Sequence, residues 1–155
     1  MNVSEIYAEN SKKFLAEGGE VLLFGIGENT YGIEIQYITE IIGIQPITIV
    51  PKVPDYIKGV INIRGKVIPV MSIRRRFGKD EIDYDDKTCI IVIDWDNVLV
   101  GLIADNVQGV VNVRPSEISN TPDYKRVNTN RYIRNIIETA DGVKLLLDCN
   151  KIIND

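Results

Sequence analysis

Two parts of the chain carry the same features in the same order. Tyr31-Gly32-Ile33 precedes Ile38 and Ile41-Ile42, and Val100-Gly101-Leu102 precedes Val107 and Val110-Val111 at one constant spacing. Tyr56-Ile57-Lys58-Gly59-Val60-Ile61 then resembles Tyr132-Ile133-Arg134-Asn135-Ile136-Ile137. Each is followed by a glycine turn and a second apolar run, at 67–73 and 145–147. A duplicated pattern restricts the fold to two small units of one kind. The runs are rich in β-branched residues, which fit a pleated, half-buried surface. The expectation is an all-β chain of two tandem barrels of about five strands each, packed side by side, with short helices at the termini and connectors, because closing a sheet removes its exposed edges. A barrel of about 65 residues is marginal alone, so the pair should share an apolar interface.

In chain order, residues 1–17 read as an N-terminal helix or a flexible tail, with Ser4 as its cap and Ile6, Tyr7, Phe14 and Leu15 roughly on one side. Residues 18–155 read as one domain, with a first barrel repeat at about 20–84 and a second at about 88–152, strand exchange between them being allowed. The charged connector 79–87 is the expected boundary between the halves, and 115–130 reads as a long polar loop. Residues 56–78 form a hairpin with Arg64-Gly65-Lys66 as its turn, where Gly65 can take a positive φ. Asp94-Trp95-Asp96-Asn97 reads as a turn, with Trp95 exposed or capping a barrel end.

The chain of 155 residues contains no histidine, which removes histidine-based acid–base chemistry, Ser-His triads, phosphoacceptor histidines and histidine metal sites. Cys89 and Cys149 are isolated and do not make a zinc site; buried thiols in a reducing cytoplasm are expected. The carboxylates of 80–86 lie where nothing apolar would raise a pKa, and no phosphate-binding loop, dinucleotide glycine pattern or nucleophile elbow is present. No enzyme activity and no cofactor are therefore expected. A net charge of −4 and no aromatic platform argue against nucleic acid. No apolar run approaches the roughly 20 residues of a membrane helix, and the N-terminus lacks the pattern of a signal peptide, so direct membrane insertion is not expected and the cytoplasm is.

What remains is a module for protein contact. Glu40 is the one charge in an apolar segment and Arg64 sits at a strand end; the two are expected to pair across the first barrel. Gly59 and Gly101 lie inside strand patterns, as bulges or as points where a partner backbone approaches. Arg74, Arg75 and Arg76 read as a solvated helical turn. Only the first copy carries an arginine at its hairpin tip, since Ala140-Asp141 stands near the matching place in the second. That asymmetry points Arg64 towards function.

The segments Tyr31–Ile35, Ile38–Ile41, Ile57–Gly65, Val67–Val70, Arg74–Gly78 and Val100–Val107 closely resemble the CheW family of chemotaxis coupling proteins, over roughly residues 18–153. The resemblance implies SH3-like barrels and a cytoplasmic, non-catalytic adaptor at the inner face of the membrane. It would join the cytoplasmic tips of methyl-accepting chemoreceptors to the regulatory domain of the histidine kinase CheA, and associate with other CheW-like domains in rings. By that resemblance Glu40 and Arg64 match a charged pair the family keeps, and Ile38, Gly59, Val107 and Val110 match receptor- or kinase-contact positions, with Cys89 and Gly101 matching less closely. Where the family commonly has Asp-Leu after Pro-Val, this chain has Met71-Ser72-Ile73. The competing readings are a CheV-type adaptor, the kinase's own regulatory domain, and a small nucleic-acid-binding barrel. The first needs a receiver domain and the second a phosphoacceptor histidine and an ATP-binding domain, so this sequence is expected to be neither.

Overall fold

The turn residues between the apolar runs close the expected hairpins. In the computed structural model, which describes residues 1–120 and 131–155, strands β1 (Gly19–Ile26) and β2 (Asn29–Glu34) form the first hairpin. β3 (Ile38–Gly43) follows, then the hairpin of β4 (Ile57–Ile63) and β5 (Lys66–Ser72). The second half repeats this with the hairpin of β6 (Cys89–Trp95) and β7 (Val98–Ala104), then β8 (Asn106–Val113), the short β9 (Ile118–Asn120), and the hairpin of β10 (Ile133–Thr139) and β11 (Gly142–Leu147). Helices are few: α1 (Val3–Glu17), α2 (Ile73–Arg76) and α3 (Cys149–Asn154). The chain is mainly β, as expected.

The strands form two small sheets, one in order β8-β1-β2-β11-β10-β9 and one in order β3-β6-β7-β5-β4. Each sheet contains a parallel strand pair, β11 with β2 in one and β5 with β7 in the other. Each parallel pair takes one strand from each sequence repeat. The compact units are therefore residues 1–35 with 108–155, and residues 36–107. They do not coincide with the repeats at about 20–84 and 88–152. The connector 79–87 is no boundary either, because β5 before it and β6 and β7 after it belong to one sheet.

The duplication is visible in detail. The β4–β5 hairpin has a bulge between Ile57 and Gly59, and the β10–β11 hairpin has one between Ile133 and Asn135, the matching positions. Val60 bridges Thr48, and its counterpart Ile136 pairs with Ser119 of β9. β9 thus lies inside the stretch expected to be a loop. Its three residues, one of them apolar, carry no readable periodicity. The remainder of that loop, 121–130, lies outside the described residues.

Each unit has its own core. In the 36–107 unit Ile61, Ile68, Val70, Ile90, Val92 and Ile103 cluster; in the other, Phe14, Val21, Leu23, Val113, Ile137 and Leu146 do. Full burial of one such side chain contributes about 1.5–3 kcal/mol.

Helix α1 is capped by Asn2 rather than Ser4: Glu5 N donates to Asn2 Oδ1 at 2.9 Å. Tyr7 and Phe14, two turns apart, are buried, whereas Ile6 and Leu15 are exposed, so the apolar stripe is narrower than expected. The helix is fastened by a buried ion. Arg134 Nη1 donates to Glu34 Oε2 at 2.8 Å, Ser11 Oγ at 2.9 Å and Tyr7 Oη at 3.2 Å. Its guanidinium lies over the rings of Tyr7 and Phe14 at 5.6 and 5.4 Å. Tyr7 Oη also accepts from Cys149 N at 3.1 Å, and burial pushes the phenol well above its ordinary pKa. The side chains of Arg134 and Glu34 are 11% and 4% exposed, so removing one partner strands the other charge away from water. Arg134→Ala should therefore cost about 3–5 kcal/mol in urea unfolding, and Arg134→Met combined with Glu34→Leu should recover most of it.

Candidate functional site

The edge strand β3 separates two features of the 36–107 unit. Its register against β6 is Ile38↔Ile93, Glu40↔Val92, Ile41↔Ile91, Ile42↔Ile90 and Gly43↔Cys89, with a bulge between Ile38 and Glu40. Alternation puts Glu40 and Ile42 on the core-cluster face with Val92 and Ile90. The bulge brings Ile38 onto the opposite face with Ile41 and Gly43. Without it Ile38 would share a face with Glu40.

On that opposite face Ile41, Cys89 and Val107, with Lys87 and Asn106, line an open depression of about 510 Å3. Ile41 and Val107 are exposed apolar side chains. Gly43, paired with Cys89, has open space where a Cβ would stand, so nothing from β3 fills the depression there. The Cys89 thiol is buried at its floor, and burial followed by the charge of Asp105 pushes its pKa up to about 11. It is protonated at neutral pH and behaves as a small apolar group. Ile41, Cys89 and Val107 form an apolar part beside the polar Lys87 and Asn106, a mixed open surface of the kind that can receive side chains of a partner helix.

Around the strand edge, Arg64 Nη2 donates to Glu40 Oε2. Arg64 sits at φ +50° and Gly65 at φ +83°, a two-residue turn in which Gly65 N donates to Asn62 Oδ1 at 3.1 Å. Arg64 is 73% exposed and Glu40 28%, so this is a surface pair. It holds the hairpin tip against the edge strand at little energetic gain.

A second open surface, a notch of about 420 Å3, lies at the start of β5 and β7. These strands pair only from Val70 and Gly101 onward. Before that point they diverge, and Val67 and Val98 stand 66% and 56% exposed. Pro69 is tolerated in this central strand because Val60, opposite it, turns its own N–H and C=O to Thr48. The pair Val60–Pro69 is thus not hydrogen-bonded, and the missing N–H of Pro69 faces the notch.

The structure brings Cys89 and Val107 together in the depression and places Glu40 and Arg64 in contact. Ile38 is half-buried on the depression's face of β3. Val110 lies on β8 in the other unit, where it is exposed. Two expected sites are internal instead. A Cβ at Gly59 would come 2.1 Å from the Thr48 carbonyl oxygen, so the backbone that approaches is the protein's own. A Cβ at Gly101 would meet Ile90 Cγ2 at 2.7 Å, inside the sheet. Nor are the three arginines solvated as a group. Arg74 is clamped to Asp105, Arg76 is buried over the Tyr56 ring at 4.2 Å, and only Arg75 is exposed. Trp95 ends β6 and is buried, while Asp96 and Asn97, both at positive φ, make the turn alone. Sequence reading missed Ile41, Val67 and Val98 as surface residues. Alternation along β3 was the signal for Ile41, but the bulge hides it.

Residues 20–155 match the family model described as CheW-like domain. The chain is 30% identical to a chemotaxis protein CheW of Klebsiella aerogenes, over 88% of this chain and 82% of that one. It is 32% identical to a chemotaxis protein CheW of Bacillus subtilis, over 88% of each. Its structure is similar to the crystal structure of the scaffolding protein TtCheW from Thermoanaerobacter tengcongensis, with a TM-score of 0.81, 27% identity, and coverage of 88% of this chain and 93% of that one.

The surface pair and the buried glycine should separate in stability measurements. Arg64→Ala should lower the unfolding free energy by no more than about 1 kcal/mol. Gly59→Ala should cost about 1–3 kcal/mol through strain at the Thr48 bridge and release the Val60 amide to hydrogen exchange.

Proposed function

This chain belongs to the CheW-like domain family and is a chemotaxis scaffold without a catalytic step, and from that premise we propose that it couples the cytoplasmic tips of transmembrane chemoreceptors to the regulatory domain of the histidine kinase CheA. The observation that carries this reading is that one unit offers two separate open surfaces, each carrying exposed apolar side chains, Ile41 and Val107 on one and Val67 and Val98 on the other. An adaptor must hold two partners at once, so it needs two such surfaces.

The depression walled by Ile41, Cys89 and Val107 is the seat for a receptor helix, which would lay one apolar stripe across β3 with Ile38 beside it. The notch at Val67 and Val98 is the contact for the kinase domain, itself CheW-like and able to dock sheet end to sheet end. The Glu40–Arg64 pair stands between them, fixing the hairpin that carries Val67 to the strand that carries Ile41. A shift at one surface would then reach the other through this hairpin, as a coupling between two bound states. In this role the protein works on the cytoplasmic side of the membrane, within receptor arrays where other CheW-like domains complete rings. No helix of the described residues is long and apolar enough to cross a membrane.

Co-precipitation with receptor cytoplasmic fragments and with the kinase regulatory domain tests the reading. Ile41→Glu should abolish receptor capture and spare the kinase, and Val67→Glu should do the reverse. Arg64→Ala should leave both captures but lower receptor control of kinase activity. If the wild-type chain retains neither partner, the assignment fails; if each charge variant binds both partners normally, the surfaces are misassigned.

A further inference from the structure

Arg74 does not line the depression, yet the wall that carries Asn106 and Val107 is tied to it through Asp105. Its guanidinium donates to both carboxylate oxygens of Asp105, Nε to Oδ1 at 3.0 Å and Nη2 to Oδ2 at 2.6 Å. Asp105 is the single residue between the end of β7 and the start of β8, so it sets the direction in which Asn106 and Val107 leave the sheet. Nη1 of the same guanidinium reaches the Asp80 carbonyl oxygen at 3.3 Å, at the start of the connector that ends at Lys87. Ser72, the cap of α2, accepts from Arg75 N at 3.2 Å and donates to Glu81 Oε1 at 2.5 Å, and Lys58 Nζ lies 3.6 Å from Glu81 Oε2. The start of the connector is thus fastened at Asp80 and Glu81, while its end, where Lys87 lines the depression, is held by Asp85, whose Oδ1 accepts from Lys87 N at 2.8 Å and Thr88 N at 3.2 Å.

The clamp is itself rigid. α2 is seated by the fully buried Ile73 and by Phe77. The Arg74 and Asp105 side chains are each 17% exposed, too little to offer a partner much surface. The hydrogen bonds to Asp105 hold the Arg74 pKa above its ordinary value, so the guanidinium stays protonated.

We propose that Arg74 is a positioning residue for the partner-helix seat: by its two-pronged bond to Asp105 it fixes the wall carrying Asn106 and Val107 at the spacing that leaves Cys89 covered but the depression open. The claim rests on the reading of that depression as a helix seat. A lysine in its place keeps the charge but cannot make the fork. The wall should therefore loosen without a change of net charge.

Cys89 is the built-in reporter, since it lies at the floor of the depression, whereas Cys149 is buried in the other unit. The experiment uses the full chain and Arg74→Lys, with Arg74→Ala as a second variant. The rate of thiol modification by a disulfide reagent at pH 8 is measured beside the melting temperature and the affinity for a receptor-tip helix peptide. In Arg74→Lys the Cys89 rate should rise about tenfold and peptide affinity should fall about tenfold, as a local opening of about 1.4 kcal/mol gives. Capture of the kinase regulatory domain at the notch should not change. Adding Cys89→Ser should remove the accelerated phase. A Cys89 rate within twofold of wild type in Arg74→Lys overturns the proposal, as does acceleration of both cysteines together, which reports general unfolding. If the peptide binds neither wild type nor variant while Cys89 still becomes more reactive, the clamp stands and the helix-seat reading falls.

Discussion

Parallel pairing of β2 with β11 and of β5 with β7 is the constraint on which the rest depends. A parallel pair needs a long connection between its strands. This chain supplies it by taking one strand from each repeat. A glycine stands at each pair, held there by the antiparallel neighbour on its other side. Gly32 stands beside Leu146 and Gly101 beside Val70, and at each a Cβ would press on a branched side chain of the neighbouring strand, Val21 Cγ1 at 2.6 Å or Ile90 Cγ2 at 2.7 Å. Once β5 is committed to β7, the two diverge at their starts and leave the notch; once β6 and β7 join β3, β4 and β5, the connector 79–87 lies along one unit instead of between two.

The ion pairs divide by burial into different kinds. Arg134 with Glu34 is enclosed, shares its donors with Ser11 and Tyr7, and fastens α1 to its sheet. Arg74 with Asp105 is mostly enclosed and lies at the step from β7 into β8. Arg64 with Glu40 is at the surface, where solvent screens it, so its contribution is to geometry rather than to stability. The repeat makes the contrast instructive. Arg134 corresponds to Lys58, and each pairs a carboxylate, whereas Arg64 has no basic counterpart at the second hairpin tip. A feature present in one copy of a duplicated fold is not needed for the fold itself.

Both proposed surfaces are consequences of irregularity. A regular β3 would place Ile38 and Ile41 on opposite faces, and the bulge at Thr39 aligns them. A fully paired β5–β7 ladder would close the notch, and its delayed start leaves Val67 and Val98 open. Strand edges and bulges are where a sheet can receive another chain without breaking its own ladder.

By themselves, the residues determined most strands but not the short β9, the hairpins, the duplication, and the pairing of Glu40 with Arg64, because alternation, turn chemistry and an isolated charge in an apolar run are local signals. They also determined the family resemblance, which the match over residues 20–155 bears out. Only the tertiary structure decided which strands share a sheet, since parallel pairing joins residues far apart in the chain and leaves no periodic trace. It decided that Gly59 and Gly101 are internal, that Arg74 and Arg76 are engaged, and that Trp95 is buried, because the neighbours responsible, Thr48, Ile90, Asp105 and Tyr56 among them, come from other strands and loops. And it decided the faces: Ile41 and Glu40 are adjacent in sequence, yet one opens on the depression and the other closes on Arg64.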